Sequence, residues 1–368
     1  MNILVTGAAG FIGQNLCVFL LEAGFDNIEK ITRDDSEESI VEKVKSADFI
    51  YHLAGVNRPK NDEDFKTGNT GLTQKVLNTL AENGRKTPIL LTSSTQVESD
   101  NPYGVSKAGA EQAVAEYQQE TGAETYIYRL PNVFGKWCRP NYNSAVATFC
   151  YNTINDLPIT IHKSDAALDL VYIDDVCNEF VRLLSTTEKK EQYCCVAPVY
   201  QTTVGKVVSL LTEFKESRES LISAKVGEGF VRALYSTYVS YLAPEQFSYS
   251  VTRHSDERGT FVEMLKTKDS GQFSFFTAHP GITRGGHYHH TKTEKFLVIN
   301  GKASFKFRHI STGESYELIV DGEESSIVET APGWSHDITN IGDNELVVML
   351  WANEIFDREQ PDTVNFKV

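Results

Sequence analysis

Residues 2–13, NILVTGAAGFIG, constrain the fold of this chain more than any other stretch. A short apolar run from Asn2 to Thr6 ends in Gly7, Gly10 and Gly13, spaced three apart. Apolar residues then recur with helical period from Phe11 to Ala23. Strand, tight turn and helix in that order aim the unpaired N–H groups of a helix N-terminus at the turn, and small residues let the backbone approach an anion there. A pyrophosphate suits that place, so this turn is predicted to bind a dinucleotide.

The next segments extend the pattern. A second strand, near Asn27 to Ile31, ends in Thr32-Arg33-Asp34-Asp35. In such folds these residues meet the adenosine ribose. An acid there favours a free 2′-hydroxyl, whereas Arg33 favours a 2′-phosphate, so NADP(H) is expected. A third strand, Phe49 to Leu53, a helical pattern from Asp62 to Asn83 and a fourth strand, Ile89 to Thr92, follow. Short strands alternating with helices imply right-handed βαβ units and a doubly wound, parallel, Rossmann-like α/β sheet.

After Ser93-Ser94-Thr95 comes Asn101-Pro102-Tyr103-Gly104-Val105-Ser106-Lys107, opening a helix rich in Ala, Glu and Gln. Tyr103 and Lys107 are four apart and share one helix face. An ammonium beside a phenol favours the phenolate and lowers a tyrosine pKa from about 10. Tyr103 is thus a candidate proton donor to a carbonyl oxygen. Taken alone, the pair is also what an ordinary exposed helix face carries.

Up to about residue 240 the chain resembles the extended short-chain dehydrogenase/reductases that act on nucleotide sugars: GAAGFIG, HLAG, LTSS, YGVSK, RLPNVFG and LDLVYIDDV occur in that family's order. The resemblance implies that Gly7, Gly10, Gly13, Phe11, Ile12, Arg33, Leu53, Ala54 and Asn69 hold the dinucleotide together with Tyr103 and Lys107. It implies that Ser94 hydrogen-bonds the reacting carbonyl, that Tyr103 is the acid/base, and that Lys107 holds the nicotinamide ribose. Asn132 is expected on the substrate side. The chain departs from the family in two places. Tyr103 follows Ser94 by only nine positions, which leaves Ser93 and Thr95 as alternative hydroxyls. Leu168 stands where the family often has an arginine, so the diphosphate is expected at Arg129, Lys136 or Arg139 instead.

The character of the chain changes after a tyrosine-rich stretch, Tyr235 to Ser250, expected to be an irregular linker with the domain boundary near 243. At 368 residues two domains are expected, 1–243 and 244–368. Beyond the boundary, short alternating runs separated by Gly and Asn turns predict an all-β antiparallel sandwich or barrel. Gly281-x5-His287-x-His289-x4-Glu294-x6-Gly301 and Pro332-x3-His336-x3-Asn340 resemble the two cupin motifs, which implies a jelly-roll. Three imidazoles and a carboxylate, His287, His289, His336 and Glu294, suit a divalent transition metal, with zinc expected ahead of nickel, iron and manganese. Asp256-Glu257-Arg258-Gly259-x-Phe261 and Arg284-Gly285-Gly286-His287 also resemble segments of the sugar-nucleotide 3,5-epimerases, so Arg258 and Arg284 are candidate substrate contacts. In that family the corresponding histidine is a base. One imidazole nitrogen cannot be ligand and base at once, so His287 is expected as ligand, leaving His290 or a tyrosine as base.

The net charge of −15 argues against nucleic acid or an anionic membrane as partner. Six scattered cysteines without C-x-x-C spacing suit free thiols in a reducing cytosol. No signal peptide or membrane span is expected. Together the halves resemble the bifunctional reductase–epimerases of capsular polysaccharide synthesis. That resemblance implies C3 epimerisation of a UDP-2-acetamido-2,6-dideoxy-4-keto-hexose in the cupin domain. NADPH reduction of C4 would then give UDP-N-acetyl-L-talosamine, precursor of the N-acetyl-L-fucosamine nucleotide, in a homodimeric enzyme. A narrower alternative confines turnover to the reductase and leaves the cupin as a metal-stabilised dimerisation module. A 4,6-dehydratase or 4-epimerase is disfavoured, because no Asp-Glu pair follows Ser94.

Overall fold

A computed structural model describes residues 1–59, 61–185 and 192–368. The chain separates into two compact units. One comprises Met1–Leu211 with Arg232–Leu242, the other Thr212–Val231 with Ala243–Val368. The chain therefore passes between the units at three places rather than at one near 243.

The first unit holds strands β1 (Ile3–Thr6), β2 (Ile28–Ile31), β3 (Phe49–His52), β4 (Ile89–Ser94), β5 (Thr125–Leu130), β6 (Asn132–Phe134), β7 (Ala167–Tyr172), β8 (Tyr193–Cys194) and β9 (Tyr200–Thr203). Its main sheet runs β2-β1-β3-β4-β5-β8, with every pairing parallel. This is the Rossmann-like sheet expected from the alternating pattern. The order reverses between β1 and β3, and ligands of open α/β sheets bind beyond the strand ends at such a point. β1, β3 and β4 are buried throughout, as strands covered on both faces must be. Leu4, Ile50, Leu91, Val76, Leu80 and Val114 belong to one core cluster, each contributing about 1.5–3 kcal/mol on burial.

The expected helix over 62–83 is interrupted: Glu63–Phe65 and Leu72–Glu82 are helical, and Lys66–Gly71 is a π-turn. Lys-Thr-Gly-Asn-Thr-Gly is a poor α-helix sequence. Asn69 is bonded there twice to the main chain of Val56, accepting from its N–H at 2.8 Å and donating to its carbonyl at 3.2 Å. The tyrosine-rich stretch is also partly regular. A helix spans Gly229–Val239, because Ala233, Leu234, Thr237 and Tyr238 bury one face of it.

The second unit holds β10 (Ile222–Ser223), β11 (Arg253–Asp256), β12 (Gly259–Thr267), β13 (Gly271–Ala278), β14 (Thr283–Tyr288), β15 (Glu294–Asn300), β16 (Lys302–His309), β17 (Ser315–Asp321), β18 (Ile327–Glu329), β19 (Trp334–Asn340), β20 (Leu346–Ala352) and β21 (Val364–Asn365). One sheet runs β10-β12-β13-β20-β15-β18, with β11 on β12, and the other β17-β16-β19-β14-β21. Phe276, Phe296, Phe305, Val320, Ile338 and Val348 cluster in the core. The short β10 pairs with β12 (Ile222 opposite Lys266), which explains why 212–231 groups with this unit. Two strands have no clear alternation in sequence. β14 contains Gly285 and Gly286 at φ +104° and +81°, where its register slips. β19 turns His336 and Asn340 inward. Among the described residues no helix is long and apolar enough to cross a membrane. None of the six cysteines is in a disulfide.

Candidate active site and metal centre

The glycine turn leaves β1 with Gly7 at φ +68°. A Cβ on Gly7 would lie 2.8 Å from the backbone N and Cα of Ala54, and one on Gly13 2.3 Å from the Gly7 carbonyl oxygen. Only glycine permits both approaches. Gly10 caps the following helix with no side-chain acceptor, so the first-turn N–H groups present their charge to the turn. Phe11 and Ile12 are half-buried in that first turn. Beyond β2, Asp35 is engaged by Lys43, by Thr32 N–H at 2.8 Å and by Ser39 Oγ at 3.2 Å. Arg33 is exposed, and no hydrogen bond or ion pair among the described residues engages it.

A buried hydrogen-bond chain, not anticipated from sequence, ties the turn to Asn69. The Ala54 N–H donates to Thr6 Oγ1 at 3.1 Å. Thr6 Oγ1 lies 2.8 Å from His52 Nδ1, His52 Nε2 3.0 Å from Thr73 Oγ1, and Thr73 Oγ1 donates to the Asn69 carbonyl at 2.8 Å. Because the carbonyl can only accept, Thr73 must accept from His52 Nε2–H, and Thr6 must donate to Nδ1. Burial pushes the His52 pKa down to about 3, as this neutral tautomer requires.

β4 delivers Ser94, whose Oγ accepts from Gln96 N–H at 3.2 Å and opens a short 3-10 turn. Asn101 then caps the helix Pro102–Thr121 through Gly104 N–H at 2.8 Å. Gly104 makes the short connection feasible: a Cβ there would lie 2.3 Å from the Ser99 carbonyl oxygen. Burial raises the Tyr103 pKa, and a hydrogen bond with Ser94 opposes the rise. Of the three candidate hydroxyls, Ser94 alone contributes to that shift. Ser93 Oγ is buried without a partner among the described residues, and Thr95 is exposed. Lys107 is buried, donates to the Thr92 carbonyl at 3.1 Å and lies 6.0 Å from the Tyr103 ring centroid. Burial pulls its pKa down to about 8, with Glu111 opposing. Asn69 Nδ2 donates to Ser106 Oγ at 2.9 Å, and a Cβ on Gly55 would fall 2.9 Å from Asn69 Oδ1 and 3.3 Å from Lys107 Nζ. The cradle thus fits a nicotinamide dinucleotide, with Gly7, Gly10, Gly13, Leu53, Ala54 and Asn69 along it.

The cationic candidates for a diphosphate divide. Arg129 is spent on Glu111 in a bidentate pair (Nε–Oε1 3.0 Å, Nη2–Oε2 2.7 Å), and Lys136 on Asp174. Arg139 is exposed and stacks on Tyr142 at 5.5 Å, while Asn132 is exposed at the start of β6.

In the second unit, β14, the loop after it, β15 and β19 bring His287, His289, Glu294 and His336 together, one donor atom of each lying within 4.8 Å of the others. Glu294 Oε2 is 3.2 Å from both His289 Nε2 and His336 Nε2. His287 and His336 are register partners. Donors at about 2 Å from one tetrahedral ion lie about 3.3 Å apart, close to the 3.2 Å that separates Glu294 Oε2 from His289 Nε2 and from His336 Nε2. Burial, then His336 and His289, pushes the His287 pKa down to about 4, which leaves its ring neutral and able to ligate. Burial pushes the Glu294 carboxyl up, but its two imidazole partners and Lys292, 3.1 Å away, hold it well below the usual range. His290 is exposed and packs edge-on against Tyr288 at 5.4 Å. Arg258 pairs with Asp256 at 2.6 Å. Arg284 donates from Nε to the Thr277 carbonyl at 3.1 Å and stacks on Phe276 at 5.3 Å, with Arg258 near enough to depress its pKa further after burial.

Residues 3–195 match the NAD dependent epimerase/dehydratase family, and residues 254–364 the polysaccharide biosynthesis C-terminal domain. Over 99% of its length the chain is 58% identical to UDP-2-acetamido-2,6-beta-L-arabino-hexul-4-ose reductase of Pseudomonas aeruginosa, covering 98% of that protein. It matches the crystal structure of capsular polysaccharide assembling protein CapF from Staphylococcus aureus with a TM-score of 0.93, 44% identity and 100% of both chains covered. A CapF structure with the inhibitor 3-isopropenyl-tropolone matches at TM-score 0.88 and 40% identity, again over 100% of both chains. The chain belongs to the NAD dependent epimerase/dehydratase family, in the group that joins such a domain to a polysaccharide biosynthesis C-terminal domain and includes CapF.

Proposed function

We propose that this protein reduces C4 of a UDP-2-acetamido-2,6-dideoxy-4-keto-hexose with NADPH, after its own cupin domain has epimerised C3. The product is UDP-N-acetyl-L-talosamine, on the route to N-acetyl-L-fucosamine in capsular polysaccharide. The two activities divide between the two compact units, reduction in the first and epimerisation in the second. The observation that carries the reduction is a buried Lys107 with Nζ 6.0 Å from the Tyr103 ring centroid, in a chain 58% identical to a UDP-keto-sugar reductase.

When bound, the nicotinamide supplies the hydride for C4, and a divalent ion, expected to be zinc, supplies Lewis-acid charge to the ketone. Ser94 donates a hydrogen bond to the carbonyl oxygen, and Tyr103 transfers its phenolic proton to that oxygen. The Lys107 ammonium favours the phenolate left behind. Arg33 takes the 2′-phosphate, and Arg139 and Asn132 face the UDP-sugar. In the cupin domain the proton on C3 is acidic only while C4 is a ketone, so epimerisation precedes reduction. His287, His289, Glu294 and His336 hold the ion, Arg258 and Arg284 face the substrate, and His290 beside Tyr288 takes the proton from one face of C3 while a solvent-derived proton returns to the other. A tropolone has adjacent keto and hydroxyl oxygens, a chelating pair. Its use as an inhibitor of CapF supports a metal here.

A second reading, reduction alone with the cupin as a dimerisation module, is favoured by one feature. The outer face of the seven-stranded sheet exposes Phe273 (37%), Ile299 (48%) and Ile327 (64%), with Phe275, Met349 and Leu297 between them. A second copy covers that face, so Ile327→Asp is expected to yield monomers in light scattering. Incubation with the keto-sugar nucleotide in D2O, with and without NADPH and before and after chelation, separates the two. Metal-dependent deuterium at C3 without NADPH supports epimerisation. Its absence, with NADPH still consumed, leaves the reductase alone.

A further inference from the structure

The loop that joins two of the four candidate ligands, His289 and Glu294, is held by a residue far along the chain. Asp362 Oδ1 accepts from His290 N–H at 2.9 Å, and its Oδ2 from Thr291 N–H at 2.7 Å, Lys292 N–H at 2.8 Å and Thr291 Oγ1 at 3.1 Å. Three consecutive amides converge on one carboxylate, an anion nest filled from within the chain. The main-chain carbonyl of the same Asp362 accepts from His289 Nδ1. A carbonyl only accepts, so Nδ1 carries a proton, and in the neutral ring Nε2 is the nitrogen left to ligate.

The tail continues beside the other histidines. Asn365 is opposite His287 in the β14–β21 pairing, and Phe366 N–H donates to Gly286 O at 2.9 Å. Ser335, next to His336, donates from Oγ to the Phe366 carbonyl at 2.5 Å. Covering the edge of β14 would account for residues 364–366. It does not account for Asp362, which precedes that strand and places its side chain on the ligand loop.

We propose that Asp362 is a positioning residue of the metal centre: its carboxylate sets the His289–Glu294 loop, and its carbonyl sets the ring and tautomer of His289. The proposal rests on the reading of His287, His289, Glu294 and His336 as a metal site. Partners of this kind typically change metal affinity 10–100-fold.

The test uses the full chain and Zn(II) in competition with a chelator of known affinity. Asp362→Ala is expected to bind Zn(II) about 10–100-fold more weakly than wild type, with Asp362→Asn, which keeps one acceptor, in between. Equal affinity in all three proteins overturns the role of Asp362 alone. Failure of the wild type to bind Zn(II) overturns the metal reading itself. A third measurement needs no variant to fold: in ¹⁵N spectra of the metal-free wild type, His289 is expected as the Nδ1–H tautomer. Finding Nδ1 without a proton overturns the proposal.

Discussion

Lys107 Nζ donates to the main-chain carbonyl of Thr92 at 3.1 Å, in a place where only 7% of the lysine is exposed. Burial holds its pKa down to about 8, against 10.5 for the free side chain. The ammonium is present below that value and lost above it. Reduction is therefore expected to decline through an apparent pKa of about 8 as pH rises, followed as NADPH consumption. The sign for stability is opposite. The cost of a buried ammonium is present below pH 8 and fades as pH rises towards 10.5. A flat rate profile from pH 7 to pH 9 would remove Lys107 from the reaction.

Tyr103→Phe deletes the phenolic hydroxyl and keeps the ring that packs on Phe65 at 5.7 Å. The turnover number is expected to fall about 10²–10⁴-fold, well beyond any loss of dinucleotide affinity in a fluorescence titration. A variant that retains most of its turnover would show that another group supplies the proton.

Gly13→Ala puts a Cβ 2.3 Å from the Gly7 carbonyl oxygen and 2.7 Å from Ala8 Cα, both backbone atoms. Something must move, at a cost of about 1–3 kcal/mol, and the turn is what moves. Lower thermal stability and weaker NADPH binding are expected together. Gly227→Ala, with no atom within 4 Å, is the matched control and should be silent.

Arg33→Ala is expected to weaken NADPH about 10–100-fold, the worth of a hydrogen bond to a charged group, and to leave NADH unaffected. Asp35, already engaged by Lys43, Ser39 and Thr32, is poorly placed to select NADH instead. Equal losses for the two dinucleotides would place the 2′-phosphate elsewhere.

Much of both sites was legible because the signals are local. Gly7, Gly10 and Gly13 act through backbone sterics within one turn, and Tyr103 and Lys107 through one turn of helix. Glycine-rich β14 and polar-faced β19 were not legible as strands, since their hydrogen-bond partners supply what apolar alternation would have signalled. Nor were the partners of Arg129 and Lys136, because a cation in sequence does not show which carboxylate the fold sets beside it.

By itself the sequence determined the glycine turn, the parallel α/β order, the second all-β half and the identity of the four clustered side chains, since periodicity and motif spacing act over a few residues. Tertiary structure alone decided which serine acts on Tyr103, the tautomer of His52, and the closure of the His289–Glu294 loop by Asp362. Each depends on groups that are distant in sequence or whose directions follow from how strands and turns pack. A hydrogen bond has a length and a direction that composition does not carry.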